Sequence, residues 1–406
     1  MSKVVVIGGG PAGMMAAITA SKNGNKVILI ERNDILGKKL LITGKGRCNL
    51  TNSCDIDGFI ANIPVNARFM YSALKMFDNH ALMEFFENRG VKLKEECGGR
   101  IFPESDKAME IQSALIKSLK TEGVEIVRGR VQKILTNENG VCGVTFEGVK
   151  PIECDSVILA TGGKSYPLTG STGDGYAIAK ELGHDIVLPK PSLVPLEVVD
   201  RSLCELQGLS LRNVGLKVKD QNNSKVLYED FGEMMFTHFG ITGPTVLSAS
   251  AFVRNIAGKT VELDLKPALS EEKLEDRIKR DFEMYSNKDF VNALCDLLPS
   301  KMIPIVADRC GIPHTKKVNQ ITKENRRKLV EVLKHFTIEI KCTRPIAEAI
   351  VTSGGVSVKQ IKPSTMESKL VSGLFFAGEI IDVDAYTGGF NLQIAFSTGY
   401  MAGMNA

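Results

Sequence analysis

The sequence predicts an α/β fold: a parallel sheet wrapped by helices, interrupted by an inserted β-rich part and a small helical part. Three observations predict it. Residues 4–32 spell a strand, a glycine-rich turn, a helix and a second strand that ends in an acid. Strand and helix signals then alternate to about residue 190, as they do where βα units build one sheet. That character lapses and returns from Ile346 onward. A chain that starts α/β, departs and comes back describes one sheet domain split by an insertion.

The opening unit is the most specific of the three. Val4 to Ile7 is an apolar strand, and Gly8, Gly9, Gly10, Pro11, Ala12 and Gly13 satisfy G-x-G-x-x-G. Met14 to Lys22 reads as a helix and Lys26 to Ile30 as the next strand, closed by Glu31. Gly8 permits the tight turn, Gly10 lets backbone N–H groups approach a pyrophosphate at the positive helix end, and Gly13 allows close helix–strand packing. Glu31 can accept from a ribose hydroxyl. The glycines alone fit any tight βα turn. With a strand before, a helix after and an acid at this distance, they predict a Rossmann-like adenine-dinucleotide site.

Composition bounds the rest. A chain of 406 residues has room for two or three domains. A net charge of +4, dispersed along the chain, gives no argument for nucleic acid, so no nucleic-acid partner is expected. Nine cysteines show no C-x-x-C pair and no histidine placed to complete a zinc quartet; reduced thiols and no metal are expected. No apolar stretch approaches the ~20 residues that span a bilayer, and the apolar N-terminus is already explained by the βα unit. The expectation is a soluble, cytoplasmic protein with no membrane partner and an open oligomeric state.

Along the chain, Ala108 to Glu122 reads as an amphipathic helix with Met109, Leu115, Ile116 and Leu119 on one side. Val124 to Val127 follows as a strand, Gly129 to Phe146 as a meander, and Ser156 to Ala160 as a buried strand. Prolines 189, 191 and 195 mark a change of composition, after which Leu211 to Val218 and Lys259 to Leu265 alternate as strands do. Residues 270–335 are charged and helical, with periods at Glu271 to Phe282 and Lys323 to His335. The expected domains are 1–190 with 345–406, a β-rich part at 191–269 with 336–344, and a helical part at 270–335.

Two later stretches bear on the dinucleotide. The strand ending in Ala160, Thr161 and Gly162 brings backbone close to a nucleotide. Gly373 to Glu379 is another strand ending in a glycine and an acid, and Thr387 to Gln393 opens a last helix, Ile394 to Met404. The free N–H groups of that helix can face an electron-rich ring edge such as the N1/C2=O side of a flavin. NAD has no use for a second acid and a terminal helix, whereas FAD does. The arrangement resembles the glutathione-reductase-type FAD fold, with Glu379 where many members carry Asp. Thr172, Gly173, Asp174 and Gly175 resemble the T-G-D-G helix start of the succinate dehydrogenase and fumarate reductase branch.

Residues 37–52 form a dense run of small, basic and amide side chains directly after the second strand. Lys38, Lys39 and Arg47 can offset phosphate charge, and Asn49, Thr51 and Asn52 can bond flavin carbonyls. A polar loop capping its own backbone is the plainer alternative. The run is similar to the G-x-G-R-C-N-x-T-N motif of the BaiN-like flavoprotein family, whose members are described as NAD(P)/FAD-dependent reductases or aminoacetone-oxidase-like enzymes. The resemblance extends through residues 99–103, 236–244, 351–356, 365–369 and 377–391. It departs at Ala385 and Phe390, where members often read D-G-x-T-G-G-Y-N. It implies an FAD domain interrupted by a β-barrel-like and a helical part. The residues expected at the cofactor are Gly8, Gly10, Pro11, Ala12, Gly13, Glu31, Arg32, Lys39, Gly46, Arg47, Cys48, Asn49, Thr51, Val131, Ala160, Thr161, Gly162, Gly378, Glu379, Gly389, Asn391, Leu392 and Gln393.

With a flavin doing the redox step, the protein supplies orientation and a proton. His238, in a glycine-rich stretch, fits a proton donor near neutral pH, and equally a histidine bonded within a turn. Tyr386 is a second candidate, and Arg344 a holder of an anionic substrate. Cys48 lacks the C-x-x-x-x-C partner of the disulfide reductases, its nearest follower being Cys54, and reads as a small packing side chain. The leading expectation is an FAD oxidoreductase that takes hydride from transiently bound NAD(P)H and reduces a small organic, conjugated enone-type acceptor. Oxidation of a small amine such as aminoacetone is the enzymatic alternative. A flavin-bearing RNA- or protein-binding module is the alternative of another class.

Overall fold

The computed structural model describes residues 2–146, 150–221, 223 and 225–406. Its first elements are β1 (Lys3–Ile7), α1 (Pro11–Lys22) and β2 (Lys26–Glu31), followed by α2 (Ala108–Thr121), β3 (Glu125–Arg128) and β4 (Ser156–Leu159). After α3 (Asp174–Glu181) and β5 (Ile186–Ser192) come the strands β6 (Leu196–Val198), β7 (Ser210–Lys219), β8 (Val226–Phe236) and β9 (Gly240–Thr242). Next are α4 (Pro244–Phe252), β10 (Thr260–Asp264), α5 (Glu271–Met284), α6 (Met302–Cys310), α7 (Lys323–Lys334) and β11 (Phe336–Thr343). The chain ends with β12 (Val351–Val356), β13 (Leu374–Phe376) and α8 (Phe390–Asn405).

The described residues divide into two units, Met1–Ser192 with Ile346–Ala406, and Leu193–Pro345. The first holds a five-stranded parallel sheet in the order β13-β4-β1-β2-β3. Its central strands are buried on both faces: Val4, Val5 and Val6 are fully buried beside Val157 to Leu159, in one apolar core with Ala16 and Ile18 of α1 and with Val144 and Phe146 of the antiparallel strand Gly140–Phe146. Helices α1 and α8 meet through small residues. A Cβ at Gly399 would lie 2.3 Å from the Ala12 carbonyl oxygen, and one at Gly403 would lie 2.4 Å from that of Ala16. The antiparallel ribbon β5–β12 also belongs to this unit. Its strand β5 carries Pro189 and Pro191, which fits a two-stranded ribbon whose register slips between Val187 and Lys190.

The second unit is built on a closed barrel in the order β6-β9-β8-β7-β10-β11, with α5, α6 and α7 after β10. Leu216, Val218, Val261, Leu263 and Ile340 share its apolar core with Leu274, Ile278, Leu329 and Leu333 of the helices. The fold class expected from the sequence is therefore found: a Rossmann-like sheet domain and an inserted barrel with helices. Details differ. Met109 is exposed rather than on the apolar face of α2, because Ala108 and Ile111 already turn inward there. The last helix begins at Phe390, earlier than Ile394, because the glycine pair Gly388 and Gly389 (φ +131° and +98°) stops the preceding loop. Among the described residues no helix is long and apolar enough to cross a membrane.

Candidate functional site

The glycines of the first turn separate into two kinds. Gly8 (φ +106°) donates to Ile30 O at 2.8 Å, and a Cβ on it would lie 2.5 Å from the Ala160 carbonyl oxygen. A Cβ at Gly13 would lie 1.8 Å from Gly8 O. Both are glycines because protein backbone occupies the space. Gly10 is not. Its backbone is ordinary (φ −77°), and a Cβ there would meet nothing within 4 Å. It borders open space at the N-terminus of α1, where no side chain caps the helix, Pro11 has no N–H, and the first intrahelical bond is Met14 N–H to Gly10 O. The amides of Ala12 and Gly13 therefore have no intrahelical acceptor.

Glu31, buried at the end of β2, is fixed against this turn. Its Oε2 accepts from Gly9 N–H at 2.6 Å, and its Oε1 accepts from the backbone and side-chain nitrogens of Asn33, both at 2.8 Å. Arg32 donates to Thr172 Oγ1 (2.7 Å) and Asp174 Oδ2 (3.0 Å), and Arg130 also reaches Asp174 at 2.7 Å. Burial raises the Asp174 carboxyl, but the bonds from Arg130 and Thr172 outweigh it and hold the group below its usual value. Val131 is buried. Ala160, Thr161 and Gly162 (φ +72°) lead off β4, and Thr161 Oγ1 is a buried hydroxyl with no partner among the described residues.

A second group of expected residues gathers around Glu379. Lys39 Nζ donates to Glu379 Oε2 and to Ser165 Oγ, both at 2.7 Å. Glu379 Oε1 accepts from Ser165 Oγ (2.9 Å) and Thr352 N–H (2.8 Å). Thr352 Oγ1 in turn accepts from the amides of Lys164 and Ser165 at 2.8 and 3.1 Å. Sequence reasoning attached no role to Ser165 or Thr352, although Thr352 lies within the recognised 351–356 motif. Gly378 (φ +78°) donates to Thr398 Oγ1 of α8 at 2.9 Å.

The 37–52 segment is held in unusual backbone. Gly44, Lys45, Gly46 and Cys48 all have positive φ (+55°, +59°, +85° and +62°). The Cys48 thiol is fully buried, and burial pushes it up to about 12 against an opposing bond from Thr43. It is a protonated packing group at neutral pH. Arg47 pairs with Glu96 and Asp106 (2.7 Å) and lies 4.3 Å from the Phe102 ring centre; bonds to those two acids raise its pKa. The Asn49 amide, with O and N assigned by their partners, donates to Thr51 O at 3.2 Å and accepts from Gly389 N–H at 3.1 Å.

Several amide and hydroxyl side chains are engaged inside the protein. Thr51 Oγ1 donates to Gln393 Oε1 at 2.6 Å, and Gln393 Nε2 to Phe77 O at 3.1 Å, with both residues fully buried. Asn52 Nδ2 donates to Gly98 O and Gly388 O. Asn391 accepts from Ala385 N–H at 3.0 Å and donates to Ala385 O at 2.8 Å, which folds the Ala385–Phe390 loop onto α8. The first intrahelical bond of α8 runs from Gln393 N–H to Gly389 O, so the amides of Phe390, Asn391 and Leu392 lack intrahelical partners. Tyr386 precedes this helix start. Its phenol is raised chiefly by burial and then by the nearby Asp384.

The other two catalytic candidates lie in the barrel unit. His238 is exposed in the β8–β9 turn, where Thr237 N–H bonds Gly240 O at 2.7 Å. Arg344 donates to Glu197 Oε1 at 2.7 Å and lies 4.7 Å from the Phe239 ring centre. The Arg344 bond holds the Glu197 carboxyl below its usual value.

Parallel sheet, uncapped α1, fixed Glu31 and uncapped α8 define a Rossmann-type dinucleotide-binding flavoprotein. The chain belongs to the HI0933-like family: the HI0933-like protein Rossmann domain matches residues 2–405, and the protein is an FAD-family oxidoreductase. It is 32% identical to the 3-dehydro-bile acid delta(4,6)-reductase of Clostridium scindens, over 100% of this chain and 99% of that one. It is 30% identical to the ribosomal RNA dihydrouridine synthase of Escherichia coli, over 98% and 96%. Among solved structures, a flavocytochrome c3 fumarate reductase in its open conformation has a TM-score of 0.53 at 18% identity, covering 100% of this chain and 78% of that one. The 3-ketosteroid-delta4-(5alpha)-dehydrogenase of Rhodococcus jostii also reaches 0.53, at 14% identity and 100% and 96% coverage. These two share the fold.

The residues present fit FAD. Gly10 leaves room where a pyrophosphate would approach, amides without intrahelical partners open both α1 and α8, and the Thr161 hydroxyl is buried without a partner among the described residues.

Proposed function

We propose that this protein is an FAD-dependent, NAD(P)H-driven reductase of carbon–carbon double bonds conjugated to a carbonyl. The observation that carries the reading is the chemistry shared by its full-length relatives. A 3-dehydro-bile acid with unsaturation at positions 4 and 6 is a conjugated dienone, and uridine, before it becomes dihydrouridine, holds C5=C6 conjugated to C4=O. Reduction of uracil C5=C6 or of the steroid C4=C5 bond adds a hydride at the carbon β to the carbonyl and a proton at the α carbon, and reduction of C6=C7 adds the hydride one vinyl unit further, at C7, with the proton at C6. The flavin, when bound, carries the hydride from NAD(P)H to the acceptor.

In this reading Ala12 and Gly13 N–H hold the pyrophosphate and Glu31 the adenosine ribose. Phe390, Asn391 and Leu392 N–H would hold the flavin's electron-rich ring edge and stabilise negative charge there. Lys39, Ser165 and Thr352 fix Glu379 at the ribityl side. Cys48 packs and takes no electrons. Tyr386, protonated at neutral pH, is the proton donor the first unit offers, and His238 and Arg344 are the donor and anion holder the second offers.

A second reading narrows the acceptor to a uracil base in ribosomal RNA, after the two full-length relatives named for that reaction. One experiment tests both readings. The yellow holoprotein is mixed anaerobically with NADH, NADPH or aminoacetone while the visible flavin band is followed. A 3-oxo-4,6-diene steroid or a uridine-containing RNA transcript is then added to the reduced enzyme. Bleaching by a nicotinamide and reoxidation by a conjugated acceptor are expected. Bleaching by aminoacetone alone would sink the reductase.

A further inference from the structure

The positive charge of this chain is not spread evenly. Residues 301–341 hold ten lysines and arginines against four acids, whereas the whole chain carries only +4, so the remainder is slightly acidic. Tertiary structure gathers part of this excess, with one lysine from outside the segment, into a patch on the helical part of the second unit. The segments 288–290 and 316–318 lie side by side, with Phe290 N–H bonding Lys316 O at 2.8 Å and Val318 N–H bonding Lys288 O at 3.1 Å. Lys316 Nζ donates to Asn325 Oδ1 at 3.0 Å, which joins that pair of segments to the first turn of α7. Lys288, Lys316, Lys317, Lys323, Arg326 and Arg327 thus surround one surface.

Three acids lie among them: Asp289 pairs with Lys317 at 2.8 Å, Glu324 stands in the first turn of α7, and Asp296 accepts from the Tyr285 hydroxyl, while Lys323 and Arg327 are exposed with no ion-pair partner among the described residues. Arg326 donates from Nη1 to Ile321 O at 3.4 Å, and its Nε is buried with no hydrogen-bond partner among the described residues. The placement also opposes local helix electrostatics, since cations in the opening turns of α7 face the positive end of its dipole. A polyanion would relieve that conflict. An aromatic lies beside the charge, with Lys288 Nζ 3.9 Å from the Tyr285 ring centre.

We propose that this face docks the phosphate backbone of the RNA whose uracil is reduced, an inference that rests on the second reading above. Phosphate contacts by lysine and arginine position an RNA without reading its sequence, and they release counterions, so binding falls steeply with salt.

The test uses the full-length holoprotein and a fluorescein-labelled, uridine-rich RNA stem–loop, followed by anisotropy across a salt series. In Lys317→Gln/Lys323→Gln/Arg327→Gln the expected affinity loss is at least about tenfold at 0.1 M salt. The log–log salt slope should become shallower by about two, given ~0.7–0.9 per lost phosphate contact. The control Lys107→Gln/Lys117→Gln/Lys120→Gln removes as much exposed charge from the first unit and should keep wild-type affinity. All three substitutions in the patch lie on exposed side chains, and an unchanged melting curve separates lost docking from lost folding. Equal losses in both triple variants, an unchanged slope, or preference for anionic phosphatidylserine vesicles over RNA would each overturn the proposal. Nicotinamide bleaching of the flavin is read in parallel. A wild-type protein that reduces small enones but binds no RNA overturns the docking face and leaves the reductase standing. One that binds RNA through the patch but is not bleached by nicotinamides supports the face and overturns the reductase.

Discussion

Replacing Gly10 by alanine separates holding the cofactor from holding the fold. A Cβ at this position meets nothing within 4 Å and the backbone is at φ −77°, so the protein itself accepts the methyl group. Alanine gains about 0.4–1 kcal/mol by restricting the unfolded chain and loses a few tenths to about 1 kcal/mol as a helix cap. The net change lies within about 1 kcal/mol, or about 2–4 °C in melting temperature for a unit of this size. The methyl group would, however, stand where the pyrophosphate approaches. Losing two charge-assisted bonds to the Ala12 and Gly13 amides costs about 1.5–3 kcal/mol each, and 1.4 kcal/mol is about tenfold. FAD should therefore bind roughly 10²- to 10⁴-fold more weakly. Gly13→Ala provides the contrast, since its Cβ would lie 1.8 Å from Gly8 O and α1 must move. It should destabilise by on the order of 3 kcal/mol or more. Titration of FAD into apoprotein, beside melting curves of the apo forms, measures both quantities. Gly10→Ala retaining FAD within threefold of wild type, or melting like Gly13→Ala, would refute the reasoning.

Three further outcomes are expected. Lys39→Met and Glu379→Gln should each destabilise by about 1–3 kcal/mol, because each strands a largely buried charge, and the double variant should cost less than their sum by chemical denaturation. His184 is buried, bonds Ala179 O (3.2 Å) and Ser368 Oγ (2.8 Å), and burial lowers its pKa below 6.5. The unfolded chain then binds more protons, so this contribution is complete above about pH 6.5 and lost as pH falls below it; melting curves of His184→Gln should show a shallower acid-side decline. Iodoacetamide at pH 8 should label the exposed Cys97 and Cys295 and spare Cys48, as read by peptide mass spectrometry.

The legible parts were those where backbone geometry demands a residue type. Gly8 and Gly13 could be read because only glycine fits against the Ala160 and Gly8 carbonyls, and Glu31 because its spacing from them is set by one βαβ unit. The strands of the inserted part were legible as alternation in β7 and β10, and α7 by its period, while their closure into a barrel and the capping box of Thr322 and Asn325 appeared only in the structure. Residue type alone could not assign side-chain partners. Arg47 and Lys39 read equally as phosphate ligands, yet they reach Glu96 and Asp106 in one case and Glu379 in the other. Asn391 reads as a ligand for a ring edge, yet its amide closes its own loop.

By itself, the sequence determined a split α/β protein with a dinucleotide turn at residues 8–13 and a second acid and helix near its end. These rest on short-range rules of strand period, turn sterics and helix termini, which act within a few residues. Only the tertiary structure decided that Lys39, Ser165, Thr352 and Glu379 form one network, because its members lie up to 340 positions apart. Only it gathered Lys288 and Lys316 beside α7. Net charge is a sum over the chain and carries no positions; a patch forms when folding brings like charges onto one face.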